Sequence, residues 1–381
     1  MPLSSYDYQP IAMPPLEPSP LVSVLMSTYN RAAFLREALD SVLTQTYPHW
    51  ELLVCDDGST DSSWQILTEY QARDPRIRAF YKENGGQSSG LNVAFRHSSG
   101  SVVCLLDSDD TFLPQKIERL LHGFRENPPC GLVWHLLQRV NNEKKPEGII
   151  PLLSFMDSGW KGPEMLREAG ILNGLRQGGA LAIRRTVAER IFPLQETPVL
   201  RNFGDTPIMR LAPLMAPVVG IKEILGTFRK HSGNQSSAPS LSDYLQRELR
   251  CYQAVWELQR DYLASRHPNS PDLLAPLTAN GHFVAMTYLS ARLQGHRRLE
   301  RQMRKLMRQS PSPLLTESPF WRFVFRVAPF IPLPLLVAAI NILIGQGRLK
   351  QFVVTFRAAW RGLESHFSPA PAPPQFFANN K

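Results

Sequence analysis

Three carboxylates crowd into four positions at the end of an apolar run: VVCLLDSDDTFLP, residues 102–114, carries Asp107, Asp109 and Asp110. Like charges this close repel and push one another's pKa upward, so the turn calls for a positive partner. A second pair, Asp56 and Asp57, ends another apolar run, WELLVCDD (50–57). Carboxylates grouped in this way suit Mg2+ or Mn2+, which take oxygen ligands and complete their shells with substrate phosphates. Asp107 and Asp109 stand two apart and converge if the backbone turns between them. Turn-forming or helix-capping roles explain a single acid there and fit three poorly. Two phosphate-binding patterns are absent. A GxGxxG would follow the first strand, where STYNRAAF has no glycine, and GGQSSG (85–90) runs on into LNVAF without the lysine of a P-loop.

The elements that position these acids alternate. Strands are expected at 21–26, 50–57, 77–82 and 101–107, and helices at 31–45, 61–73, 88–98 and 114–127. Strand and helix alternating through short loops make an α/β fold with a mostly parallel sheet covered on both faces. Such sheets bind ligands at the carboxyl ends of their strands, so both acid groups are expected on one rim. Beyond residue 141 the rhythm loosens, with strands expected at 178–185 and 218–231, the second a strand or a hairpin. From about 240 the chain reads as nearly all helix, and a domain boundary is placed near 238.

The stretch VSVLMSTYNRAAFLREALDSVLTQTYPHWELLVCDDGSTDSS, followed by ENGGQSSGLNVAFRHSSGSVVCLLDSDD, resembles the family 2 glycosyltransferases with the GT-A fold. Three blocks in the right order, TYNR, DDGSTD and LDSDD, carry the resemblance. It covers residues 20 to 125 closely and reaches loosely to about 237. It implies a GT-A domain over 21–238, with a nucleotide-binding half (21–140) and an acceptor-side half (141–238). It implies an inverting transfer from a nucleotide-diphosphate sugar, UDP-linked, to a hydroxyl of a glycan, polysaccharide or lipid-linked acceptor. Thr28, Tyr29 and Asn30 match the loop that wraps the nucleotide, and Asp56 and Asp57 the acids near base and ribose. Gly90 and Asn92 match part of an NxGxxxARN stretch in which Leu91 replaces the usual arginine. Asp107 and Asp109 match the DxD motif, the second acid holding Mn2+ or Mg2+ and the first on the ribose side.

An inverting displacement also needs a base opposite the leaving group. NFGDTPIMRLA (202–212) resembles the family's EDxxLxxRL helix start, which makes Asp205 the base, with Gly204 where Glu is usual. A helix-capping role for Asp205 is compatible with that, because a cap is a rigid place for a base. FRKHSGNQSS (228–237) resembles the YRxHxxxxS block. There His231 completes the metal shell or meets the diphosphate with Arg229 and Lys230; the other reading of His231 is structural. RQGGALAIRR resembles an acceptor-side strand, where Gly178 and Gly179 allow close approach of a sugar.

Composition narrows the classes. Four scattered cysteines without a CxxC pair exclude a disulfide framework or a zinc site and fit a reducing, cytoplasmic setting. The Pro-rich residues 1–20 lack a secretory pattern and read as a poorly ordered lead-in, as does a tail at 367–381. The helical region 239–366 holds a basic stretch, 291–308, with seven Lys or Arg against Glu300. No aromatic platform accompanies it, which argues against nucleic acid. VAPFIPLPLLVAAINILIGQG (327–347) is uncharged, yet its prolines leave too short a clean helix to cross a bilayer. With its basic and aromatic flanks, 319–361 reads either as a peripheral anchor on the anionic inner face of the plasma membrane or as a bundle core. A non-catalytic, sugar-nucleotide-binding relative or scaffold remains the alternative, motivated by Leu91 and Gly204.

Overall fold

The computed structural model of the chain describes residues 7–150, 156, 158–171, 178–231, 240–270 and 272–309, with Pro332 and Leu335. The chain divides into two compact units, Met1–Ser318 and Pro319–Lys381. Every element below belongs to the first unit. The anchor expected at 319–361 and the tail at 367–381 lie outside the described residues, Pro332 and Leu335 apart.

The first half alternates as expected: β1 (Val22–Thr28), α1 (Ala32–Leu43), β2 (Trp50–Asp56), α2 (Ser63–Arg73), β3 (Ile77–Tyr81), α3 (Gln87–Arg96) and β4 (Val102–Leu105). Then come β5 (Thr111–Phe112), α4 (Lys116–Glu126), β6 (Leu132–Val140), β7 (Pro146–Ile150) and α5 (Gly162–Arg167). β8 (Leu181–Arg184), α6 (Arg185–Ile191), α7 (Asp205–Met215) and β9 (Val218–Arg229) follow. Three helices end the described chain: α8 (Leu241–Arg266), α9 (Gly281–Leu293) and α10 (Arg297–Gln309). The basic stretch 291–308 is thus broken, at Gly295 with φ of 73°, and Arg297, Arg298, Arg301 and Lys305 are exposed.

The strands form one sheet in the order β3-β2-β1-β4-β8-β6-β9-β5, with β7 beside β6. It is parallel across β3, β2, β1 and β4. Beyond β4 it is mixed, because β8 runs antiparallel to both β4 and β6 while β6 and β9 run parallel. The α/β class therefore stands, and the parallel character belongs to the first half of the sheet. β1 is buried on both faces, which is why it reads as a continuous apolar run. Val22, Val24 and Met26 pack with Leu35 and Leu39 of α1 on one side. Leu25 packs on the other, with Leu91 and Ala94 of α3 and Ile208 and Ala212 of α7.

The lead-in from Tyr8 onward is docked rather than loose. The Tyr8 hydroxyl donates to the Leu214 carbonyl at 2.6 Å, its ring stacks on Trp160 at 5.6 Å, and Ile11 N–H donates to the Met215 carbonyl at 2.8 Å. Further along, the carbonyls of Pro14, Pro18 and Pro20 accept from Arg184, Arg125 and Tyr47. Prolines have little backbone freedom to lose, so a few side-chain donors suffice to order such a segment.

α3 crosses β1 at very short range. A Cβ on Gly90 would stand 2.2 Å from Ser27 Oγ and 2.8 Å from Ser27 Cβ. Rotating the serine relieves only the first clash. Gly90→Ala is therefore expected to lower the unfolding free energy by about 1–3 kcal/mol, the usual cost of overpacking. The urea midpoint of the full chain measures it, and an unchanged midpoint would show that the crossing relaxes freely.

Candidate active site

The C-terminal ends of β1, β2 and β4 open onto a cavity of about 420 Å³, lined by Thr28, Tyr29, Asp57, Asp107, Asp109 and Asp205 among others. Asp107, Asp109 and Asp110 leave β4 in a turn whose Asp110 N–H donates to the Asp107 carbonyl at 3.0 Å. Gln87 at the start of α3 donates from Nε2 to Asp107 Oδ1 at 3.0 Å and accepts from Gly204 N–H on Oε1. One side chain therefore ties the acid turn to the entry of α7, whose first residue is Asp205. Burial, then the charges of Asp109 and Asp205, push Asp107 up to about 8. Asp109 Oδ2 lies 2.9 Å from His231 Nε2 and 3.4 Å from Arg31 Nε. The His231 ring stacks on Phe34 at 4.8 Å, which fixes its plane.

The cation paired with the acid turn is Arg31, at Asp109; a second basic group, Lys116, which sequence reasoning missed, lies within electrostatic reach of Asp107 and Asp110. It is fully buried, donates from Nζ to the Gly179 carbonyl at 2.6 Å, and lies 3.4 Å from the Phe112 ring centroid. Burial pushes it down to about 7, against the opposing pull of Cys104, Asp110 and Asp107. Asp110 is driven the other way, upward, by burial and by Asp107 and Asp109. Nothing in the sequence marks Lys116 as internal, because a lysine in the first turn of an amphipathic helix reads as a solvated one.

Other expected site residues hold the scaffold. Asn30 adopts φ of 52°, and its Oδ1 accepts from Thr60 N–H at 2.8 Å, stapling the 59–61 loop. Asp57 is saturated by Lys82 Nζ at 2.7 Å, Gly85 N–H at 2.9 Å and Gly86 N–H at 2.6 Å, so it shapes the loop that forms one lip of the cavity. Asn92 exchanges hydrogen bonds with Leu194 and donates to Glu196. Gly90 serves the α3–β1 crossing. Arg229 donates from its backbone to Asp110 Oδ1 at 2.7 Å and from its side chain to the Asp109 carbonyl and Glu37. Asn30, Asp56, Gly90, Asn92 and Arg229 are not among the residues lining this cavity.

Two polar atoms at the strand ends are buried and, among the described residues, without a hydrogen-bond partner: Thr28 Oγ1 and Asp56 Oδ2. These residues face each other across the β1–β2 register, and burial raises the Asp56 pKa. Leaving such atoms without a hydrogen bond is costly. Leu91 and Gly204, both departures from the expected motifs, meet each other. A Cβ on Gly204 would stand 2.7 Å from Leu91 Cδ1 and 3.3 Å from the Ser88 backbone. A side chain at 204 would have to displace the Leu91 side chain and press on the Ser88 backbone, so the two departures share one packing contact.

The far side of the cavity is closed by α7, by the 169–171 turn and by α8. Gln259 holds these together, donating from Nε2 to the Gly170 carbonyl at 2.8 Å and the Arg210 carbonyl at 2.9 Å. The donor set around Asp109 suits a hard divalent cation, combining carboxylates with an imidazole. No three His, Cys, Asp or Glu side chains are already grouped as a metal cage among the described residues. Among these residues, too, no helix is long and apolar enough to cross a membrane.

Residues 23–192 match the family model described as glycosyl transferase family 2. An uncharacterized glycosyltransferase of Nostoc sp. (strain PCC 7120), alr2836, is 31% identical over 235 residues, covering 58% of this chain and 69% of the relative. The chondroitin synthase of Pasteurella multocida (strain Pm70) is 34% identical over 149 residues, which is 39% of this chain but only 14% of that protein. Among solved structures, Staphylococcus aureus TarS 1-349 in complex with UDP is similar at 20% identity and a TM-score of 0.49, over 76% of this chain and 90% of that one. Matched by the family model and by a 31% identical relative along more than two thirds of that relative's length, this chain belongs to glycosyltransferase family 2.

Proposed function

We propose that the chain transfers a sugar, with inversion, from a UDP-linked donor to a hydroxyl of a growing glycan or lipid-linked acceptor. The observation that carries this reading is the convergence of Asp107, Asp109 and Asp205 on one cavity. A role in polysaccharide synthesis is supported by the name of the Pasteurella relative, a chondroitin synthase. The nucleotide would lie over the ends of β1 and β2, where Thr28 lines the cavity and Tyr29 is 46% exposed. Arg31, near Asp109 and on the cavity wall, would face the diphosphate.

The residues present fit a divalent metal: Asp109 and His231 in mutual contact, with Asp107 beside them, would hold Mn2+ or Mg2+. Such an ion, when bound, neutralises the charge that grows on the departing diphosphate. Asp205 would take the proton from the attacking hydroxyl. Its place on the first turn of α7 gives it a rigid mount, and Thr206 Oγ1 at 3.3 Å helps fix its carboxylate. Gln87 sets the distance between the acid turn and Asp205, by bonding Asp107 and the Gly204 N–H together. The alternative of a non-catalytic binding relative loses its motive. Leu91 and Gly204 pack on one another, and neither belongs to the cavity lining.

Asp109→Ala is expected to abolish Mn2+-dependent UDP binding in calorimetry, because one of very few protein ligands is removed. Unchanged metal-dependent affinity would remove Asp109 from the shell. Asp205→Asn keeps the shape of the side chain and its contact with Thr206. It should retain donor affinity while the release of nucleotide diphosphate from a nucleotide-sugar panel falls about 10²- to 10⁴-fold, the span of general-base catalysis. Turnover near that of the unaltered protein would place the base elsewhere.

A further inference from the structure

The family match stops at residue 192, yet much of the cavity wall lies beyond it. α8 presents Tyr244, Arg247, Glu248, Tyr252, Val255 and Gln259 to the cavity, a spacing that puts them on one helical face. A helix that merely packs carries an apolar stripe on its inward face. This face is apolar at Val255 but offers tyrosine, arginine and glutamate over the preceding turns. α7 adds Arg210, whose guanidinium stands 5.5 Å from the Tyr252 ring centroid. The guanidinium of Arg247 stands 5.7 Å from Tyr244 and 5.8 Å from Phe203.

Both guanidinium groups stand within cation–π range of these rings, and a guanidinium is the group that reads a planar carboxylate or a phosphate. Glu248 lies 3.6 Å from Arg247, too long for a hydrogen bond in that pair, so it acts on Arg247 as a charge. Asp205, Arg210, Arg247 and Glu248 line the same cavity.

We propose that this wall is the acceptor subsite, and that it takes a saccharide bearing an acidic group. A sugar ring would lie against Tyr244 or Tyr252, with the carboxylate or phosphate read by Arg210 and Arg247. The proposal rests on the transferase reading above.

Ligand-observed saturation-transfer NMR on the full chain, with UDP and Mg2+ present, tests it with three probes: methyl glucuronide, glucose 6-phosphate and methyl glucoside. At least one acidic probe should bind about tenfold more tightly than the glucoside, the scale of one charge-assisted hydrogen bond. Which acidic probe responds tells a carboxylate-bearing acceptor from a phosphate-bearing one. Arg247→Gln and Arg210→Gln should erase the preference, Arg247→Lys should restore part of it, and Tyr252→Ala should weaken all three probes. Equal binding of all probes, or a preference that survives both glutamine variants, overturns the proposal. Circular dichroism confirms the fold of each variant; if one fails to fold, the contrast among probes in the unaltered protein decides. Titration with UDP and GDP separates the two levels of argument. No nucleotide binding overturns the transferase reading, whereas nucleotide binding without acid preference overturns this subsite alone.

Discussion

The acid turn after β4 lies within electrostatic reach of a buried lysine that feels both Asp107 and Asp110. Lys116 sits at the start of α4, where the helix dipole disfavours a cation and where burial disfavours it further. Desolvating such an ion costs several kcal/mol, and the acids above it offset that cost only if the geometry is fixed. The geometry is fixed by the Gly179 carbonyl and the Phe112 ring. The same amine thus ties the start of α4 to the 178–180 turn that leads into β8. Burial pushes Lys116 down and Asp107 and Asp110 up, so each group leans toward its neutral form and the cluster limits its own charge.

From that point the rest of the rim can be followed outward. Asp110 accepts the Arg229 backbone N–H, and β5 pairs with β9 through Thr111 and Thr227. These two ties bring the end of β9 beside the acid turn, and His231 beside Asp109 as a consequence. Arg229 contributes by bonding the Asp109 carbonyl and Glu37 at once. An arginine held by backbone and carboxylate partners in this way serves the turn's shape, which explains why it lies outside the cavity lining although its neighbour two positions on lies against the second acid of the DxD.

The strand ends were legible in the sequence because apolar runs stopping at acids leave little freedom about which rim the acids occupy. The meeting of Asp107, Asp109 and Asp205 in one cavity follows from that rule and from the helix start at 205. What each polar residue touches was not legible. Asn30, Asp57 and Asn92 sit in motif blocks and are polar, yet their hydrogen bonds go to loops, and a loop staple and a ligand contact draw on the same residue types. Lys116 was invisible because helical periodicity says which face a residue occupies and not what lies over it. The inward face of α8 was hidden for the same reason: its spacing is plain, but the cavity it faces is built by residues far away in sequence. The docking of the lead-in likewise depends on Leu214, Met215 and Trp160, none of which is near Tyr8 in the chain.

Hydrogen-bond saturation separates the acids by task. Asp57 has two backbone N–H groups and an ammonium on its two oxygens, an arrangement that spends most of its acceptor capacity on the scaffold. Asp110 faces inward, toward a backbone N–H and a buried lysine. Asp109 instead meets Arg31, which lines the cavity, and His231, which is not among its lining residues. Asp107 accepts from the neutral amide of Gln87, and burial with the nearby charges of Asp109 and Asp205 pushes it toward its neutral form. The rim is thus poised by subtraction: the acids that shape it are neutralised by the scaffold, and the electrostatic demand that remains is concentrated where Asp107, Asp109 and Asp205 converge.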